Sequence, residues 1–338
     1  MRIIIDAMGG DNAPEEIVKG AVLAAGEYGC SITLVGIRER IEEVLRAQGS
    51  SEGSFDIVDA AQVITNDESP TEAIRKKKDS SLVIGLNLLR DGKGDAFISA
   101  GSTGAVLAGG TFIVRRIKGI MRPAICPIIP GRKKPFLLMD AGANADCKPQ
   151  YIQQFAIMGS IYAEQVLKRK KPEVALVNIG AEEEKGSKFA KECYAMLKDT
   201  PINFKGSIEG REIPDGAVDV VVTDGFTGNV ILKLFEGTVG TIFSVLKEGI
   251  MSSFKTKLGG MLLKPVFKSF KKTYDYTEHG GAVLLGLNAP VIKAHGSSNA
   301  KAVKNAVRQA ISCVEGNITG VIRSAMELQA GEEQHTEE

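Results

Sequence analysis

The chain has 338 residues, 43% hydrophobic and 25% charged, the balance of a globular enzyme with a large core in one α/β domain or two. Its 42 Lys and Arg against 41 Asp and Glu leave a formal charge of +1, so no global field draws in nucleic acid. Five scattered cysteines (Cys30, Cys126, Cys147, Cys193, Cys313), never spaced C-x-x-C, argue for reduced thiols and against a disulfide framework or a zinc site. The opening M-R-I-I-I-D lacks the pattern of a signal peptide, and no run of 18 apolar residues predicts a membrane span.

In chain order, residues 2–6 (R-I-I-I-D) predict a buried strand ending in Asp6. The turn Ala7-Met8-Gly9-Gly10-Asp11-Asn12 leads to Pro14, which suits the first turn of a helix. Asp11 or Asn12 can cap that helix, and Asp6 stands where open α/β sheets place ligands. Strands are expected at 31–36 and 55–60, with a charged amphipathic helix at 37–47. Lys76–Lys78 fits either a solvated face or a dock for an acidic protein.

A strand at 96–99 ends in Ser99, and Ala100-Gly101-Ser102-Thr103-Gly104 then turns into a helix expected over 105–117. A glycine-rich turn with hydroxyls at a helix start offers unpaired N–H groups to an anion; an ordinary capped turn is the alternative. Arg115, Arg116, Lys118 and Arg122 form a basic cluster beyond it. The stretch 123–130 (P-A-I-C-P-I-I-P) reads as at best an edge strand, because proline lacks a donor. Residues 135–140 predict a strand ending in Asp140, followed by Ala141-Gly142-Ala143-Asn144.

A helix at 149–168 and a strand at 174–180 follow, then Lys185 as the single cation among Glu182, Glu183 and Glu184. After a helix at 187–197 and strands at 202–208 and 218–223, Asp224-Gly225-Phe226-Thr227-Gly228-Asn229 repeats the earlier turn chemistry before a helix at 230–246. Residues 252–274 carry six lysines and no acid among bulky apolar groups, with Gly259-Gly260 and Pro265 suggesting two short helices. That pattern fits a membrane or partner contact through Lys257, Leu258, Met261, Leu262, Leu263 and Phe267; packing on the protein itself is the alternative. A last strand at 291–294 ends in His295, a helix is expected over 301–328, and 331–338 reads as a disordered acidic tail.

Five strand ends thus carry Asp6, Ser99, Asp140, Asp224 and His295, and a largely parallel sheet would align them on one edge as an anion-binding cleft. No P-loop or G-x-G-x-x-G fingerprint opens a helix, which speaks against nucleotide triphosphate and nicotinamide cofactors. The expected architecture is a three-layer Rossmann-like α/β/α domain over 1–330, with 252–274 protruding as an amphipathic helical segment.

The segments I-I-I-D-A-M-G-G-D, I-S-A-G-S-T-G-A, D-A-G-A-N, V-T-D-G-F-T-G-N and A-H-G-S-S-N together resemble the bacterial phosphate acyltransferase family (PlsX), over nearly the whole chain. The resemblance implies a fold like that of phosphotransacetylases and isopropylmalate dehydrogenases. It also implies transfer of a fatty acyl group from acyl carrier protein to inorganic phosphate, giving acyl-phosphate for phospholipid synthesis. A cytoplasmic homodimer is implied as well, peripherally associated with the inner face of the cell membrane and serving a membrane glycerol-3-phosphate acyltransferase. Neither a metal nor another cofactor is expected.

On this reading phosphate is the nucleophile, bound near Ser102, Thr103 and Gly104 and faced by Thr227, Gly228 and Asn229. His295 is expected to assist proton transfer or hold the oxyanion, and Lys185 to neutralise phosphate charge. Asp6, Gly9, Gly10, Asp11, Asp140, Asn144 and Asp224 would orient the donors. A membrane-surface scaffold and a metal-dependent dehydrogenase of related fold are the rival readings.

Overall fold

The apolar run Ile3–Ile5 of β1 (Arg2–Asp6) lies near the middle of one half of a sheet buried on both faces, as its hydrophobicity requires. The computed structural model describes residues 1–50 and 53–336. Besides β1, its strands are β2 (Ser31–Gly36), β3 (Asp56–Asp59), β4 (Ala96–Ser99), β5 (Ala124–Ile129) and β6 (Phe136–Met139). β7 (Glu173–Asn178), β8 (Asn203–Glu209), β9 (Val220–Val222), β10 (Gly281–Leu285) and β11 (Val291–Ala294) complete one sheet of 11 strands, ordered β3-β2-β1-β4-β11-β10-β5-β6-β9-β7-β8.

Helices cover both faces, giving the expected three layers. One face carries α1 (Glu15–Tyr28), α2 (Arg38–Ala47), α6 (Pro149–Gln165), α7 (Lys188–Lys198), α11 (Ala300–Glu315) and α12 (Ile318–Thr336). The other carries α3 (Pro70–Lys76), α4 (Ser81–Arg90), α5 (Thr103–Gly109) and the start of α8 (Gly225–Met251). The remaining helices are α9 (Phe254–Leu262) and α10 (Lys264–Tyr274), which with the rest of α8 stand largely exposed.

Several boundaries differ from expectation. β5 is central rather than an edge strand: Ala124–Pro127 pair with β10, and only Ile128–Ile129 pair with β6. Pro127 therefore falls at the changeover between two ladders, where its missing N–H is tolerated. β10 has no counterpart in the sequence reading, because G-A-V-L-L is short and flanked by glycines. The helix after β4 ends at Gly109 and passes into a π-helical turn, Gly110–Val114. α8 begins five residues earlier than expected and runs on to Met251. The last predicted helix is two, α11 and α12, parted at Asn317 with φ 46°. α12 reaches Thr336 and so takes in most of the expected disordered tail, of which 337 and 338 lie outside the described residues.

The topology carries one correction that matters for function. β1, β4 and β11 are parallel, but β10 is antiparallel to both β11 and β5, and β5 is antiparallel to β6. β6, β9 and β7 therefore run opposite to β1. The five polar strand ends do not share one edge: Asp6, Ser99 and His295 lie on one, Asp140 and Asp224 on the other.

Candidate active site

At the first edge three turns are stitched together. Asp6 is buried at the end of β1 and accepts from the Ser99 hydroxyl (2.7 Å) and the Met8 N–H (3.1 Å). Ser99 in turn accepts from the Gly101 N–H at 3.0 Å, so the acid fixes the path of the 100–104 turn from below. Burial pushes the Asp6 carboxyl up, against the pull of the Ser81 and Ser99 hydroxyls and of the Met8 and Gly9 N–H groups. Gly9 has no room for a side chain: a Cβ there would lie 2.6 Å from Asp6 Oδ2 and 2.7 Å from Gly101 N. Its neighbour Gly10 has φ 103°.

Neither Asp11 nor Asn12 caps α1 with its side chain. Instead the Asp11 N–H donates to Gly296 O (2.8 Å), and Asn12 Nδ2 donates to Ser297 O and Ser298 O (both 3.3 Å). The 7–12 turn is thereby tied to the 295–298 turn. His295 Nδ1 accepts from the Ser297 N–H at 3.2 Å and lies 2.8 Å from Ser297 Oγ, which puts the proton of the neutral ring on Nε2. Burial and the nearby cations Lys233 and Lys293 hold its pKa below the usual histidine value.

The two hydroxyl-bearing helix starts, alike in sequence, differ in structure. At α5 no side chain caps the helix, and among the described residues the Ser102 and Thr103 hydroxyls have no hydrogen-bond partner. Gly104 faces Pro70, and the first N–H groups of α5 remain open to an anion. At α8 the start is closed on itself. Asp224 accepts from both the N–H and the hydroxyl of Thr227 (2.8 Å each), and the Gly225 N–H donates to Asn144 O at 2.8 Å. Gly228 packs beneath the Asp140 carbonyl, where a Cβ would approach to 1.9 Å. Thr227 and Gly228 therefore anchor the helix.

Asp140 is the centre of that second edge. Its carboxyl accepts from the backbone of Ile125 (2.9 Å), Gly142 (3.2 Å), Ala143 (3.1 Å) and Asn144 (2.8 Å), and from Asn144 Nδ2 (2.9 Å). Burial pushes its pKa up while these N–H donors pull it down. Lys185, on the loop after β7, is exposed on the same edge, and no acid lies within ion-pair distance of it among the described residues. Among the described residues the strand-end aspartates are divided, Asp6 on one edge and Asp140 and Asp224 on the other.

α8 joins the two edges. It leaves the 140–144 turn with Asn229 beside Gly142, and one turn later Lys233 stands within electrostatic reach of His295 and Lys293. Sequence reasoning missed both Lys233 and Lys293. Lys293 lies in β11 opposite Ser99, and its ammonium donates to Ala100 O (3.4 Å) and to Ala294 O. Its position in an otherwise apolar strand, V-I-K-A, was the available signal.

Beyond its first turns α8 is exposed, with Leu234 68% and Val245 61% accessible. By length and composition it could cross a bilayer, with a mean hydropathy of 1.4 over its most apolar stretch, which the apolar-run criterion overlooked. Its first turns, however, pack on the sheet through Ile231, Leu232 and Phe235. In α9 and the break after it, Leu258, Met261, Leu262 and Leu263 are exposed, as is Lys257, whereas Phe267 in α10 is half-buried. The break falls at Leu263, while Gly259 and Gly260 lie inside α9.

Comparison with known proteins gives this geometry its context. Residues 1–320 match the model of a family described as fatty acid synthesis protein. Phosphate acyltransferase from Clostridium acetobutylicum is 53% identical over 97% of this chain and 99% of its own. The enzyme of the same name from Alkaliphilus oremlandii is 53% identical over 94% and 95%. Among solved structures, a phosphotransacetylase from Streptococcus pyogenes shares the fold with TM-score 0.64, at 15% identity over 94% of each chain. A branched-chain phosphotransacylase from Enterococcus faecalis does so with TM-score 0.55, at 15% identity over 93% of this chain and 99% of its own. The chain carries out acyl transfer to phosphate and belongs to the fatty acid synthesis protein family of phosphate acyltransferases.

Proposed function

We propose that the protein moves a long-chain fatty acyl group from the thioester of acyl carrier protein to inorganic phosphate, releasing acyl-phosphate for phospholipid synthesis. The observation that carries this reading is the contrast between the two helix starts. The Ser102 and Thr103 hydroxyls and the first N–H groups of α5 are uncommitted, whereas those of α8 are satisfied internally. Phosphate binds at the former, supported by the 295–298 turn. Its oxygen attacks the thioester carbon directly, and the protein's contribution is alignment and charge stabilisation. Asn229, beside Gly142, and His295, within electrostatic reach of Lys233 one turn further along α8, would meet the developing oxyanion. Lys185, exposed on the other edge, is better placed to guide the incoming substrate than to hold phosphate.

An acidic carrier protein would dock on Arg115, Arg116, Lys118 and Arg122, which are exposed and form no ion pair among the described residues. Lys76 and Lys77 are already paired with Glu72 (2.8 Å) and Glu68 (2.7 Å), which favours their solvated-face reading. The lysines and exposed apolar groups of α9 and α10 fit peripheral contact with an anionic membrane, where acyl-phosphate passes to a membrane acyltransferase. The exposed apolar residues of α8, Leu234, Ile242 and Val245 among them, fit a second copy of the chain.

The test is turnover of a long-chain acyl carrier protein by purified protein, following thiol release and trapping acyl-phosphate with hydroxylamine. Acyl-phosphate formed in proportion to added phosphate supports the proposal. Thiol release without acyl-phosphate would refute it, and equal turnover of a short acyl-coenzyme A would refute the assigned donor.

A further inference from the structure

Lys293 is a half-buried cation with no ion-pair partner among the described residues. Among the described residues its ammonium donates to two neutral acceptors, the carbonyls of Ala100 and Ala294. An ammonium has three N–H donors, so one remains for a ligand. The charged groups facing it are Asp6 at the end of β1, Asp11 in the following turn and Lys233 from α8, with His295 two residues on in its own strand end. None of the acids is in an ion pair with it among the described residues, and Asp6 is already occupied by Ser99 and Met8. Burying an unpaired cation is costly unless something anionic joins it. A surface position would serve packing equally well.

We infer that Lys293 is a catalytic residue whose ammonium, seated over the Ala100 carbonyl at the foot of the 100–104 turn, binds the attacking phosphate and holds its charge through the transition state. This rests on the reading of that turn as the phosphate subsite. Lys233, ion-paired with Glu236 at 2.8 Å, lies within electrostatic reach of the same space from α8. In the reaction, a phosphate oxygen forms the bond to the thioester carbonyl carbon and the carbon–sulfur bond breaks. The proton of hydrogen phosphate ends on the departing thiolate, and Lys293 gives up none of its own.

The test is phosphate-dependent thiol release by K293M, K293R, S102A and T103A, read as kcat/KM for phosphate against pH, with thermal melts confirming folding. K293M should lose about 100-fold or more in kcat/KM for phosphate. Burial lowers the Lys293 pKa to about 8, so the parent's activity should fall as pH rises through that value. K293R, whose charge is permanent, should keep measurable activity and carry the alkaline limb above about pH 10. K293M within threefold of the parent, or an alkaline limb unmoved in K293R, overturns the role of Lys293. If S102A and T103A still raise the phosphate KM in that case, the subsite reading survives. Thiol release by the parent that is indifferent to phosphate overturns both.

Discussion

Replacing Asp140 with asparagine changes a single oxygen to an NH2 in a site where every neighbour is a donor. Oδ1 accepts from Ile125, Gly142 and Ala143, and Oδ2 from Asn144 N and Asn144 Nδ2. Whichever way the amide is turned, its NH2 faces at least two N–H groups. Two charge-assisted bonds are lost at about 1.5–3 kcal/mol each. Relief of a buried carboxylate returns part of this, leaving a net destabilisation of about 2–4 kcal/mol. In a chain of this size that is a fall in melting temperature of roughly 3–6 °C. The loss should also reach the site, because Asn144 O receives the first N–H of α8 and that helix carries Asn229 and Lys233. Urea unfolding followed by circular dichroism measures the first effect, and kcat/KM for phosphate the second. Stability within about 0.5 kcal/mol of the parent would refute Asp140 as the organiser of this edge.

Other outcomes follow from the same geometry. Gly228→Ala gains about 1 kcal/mol of helix propensity but sets a methyl 1.9 Å from Asp140 O; it should destabilise by about 1–3 kcal/mol net and lower activity, read by melting and turnover. Thr103→Ala should raise the phosphate KM by about tenfold with little change in melting temperature, whereas Thr227→Ala should lower the melting temperature through the loss of its bond to Asp224. His295 is held below 6.5, so between its folded value and 6.5 the unfolded chain binds the extra proton and stability falls with falling pH. Removing the like charge in K233M should move the His295 titration upward, visible in the ring proton resonances. For Lys293, folded near 8 and unfolded near 10.5, the unfolded chain holds the proton through that window, so stability should rise with pH by up to about 3 kcal/mol; K293M should flatten the rise in denaturation series.

Much of the architecture was legible because each buried strand is a short apolar run closed by a polar turn, as in I-I-I-D and F-L-L-M-D. Strand direction was not, since it depends on pairing between distant segments. β10, late in the chain, inserts between β11 and β5 and reverses the sense of everything beyond. The two helix starts looked equivalent by composition, yet the one preceded by aspartate closes on itself. The spacing of Asp224 and Thr227, an acid three residues before a hydroxyl, was a local sign of this. Gly101 precedes Ser102 and offers no such cap. Lys293 was passed over because one lysine in a strand reads as a solvent-facing position, and only packing shows that it turns inward.

Central to the account is direct attack by phosphate, with no acyl group ever resting on the protein. Rapid mixing of stoichiometric protein with a long-chain acyl carrier protein in phosphate-free buffer, followed by addition of phosphate, tests it by recording free thiol. The account predicts no thiol before phosphate is added and a single continuous phase afterwards. A burst of one thiol per active site before phosphate addition would mean a covalent acyl-protein intermediate and would contradict it.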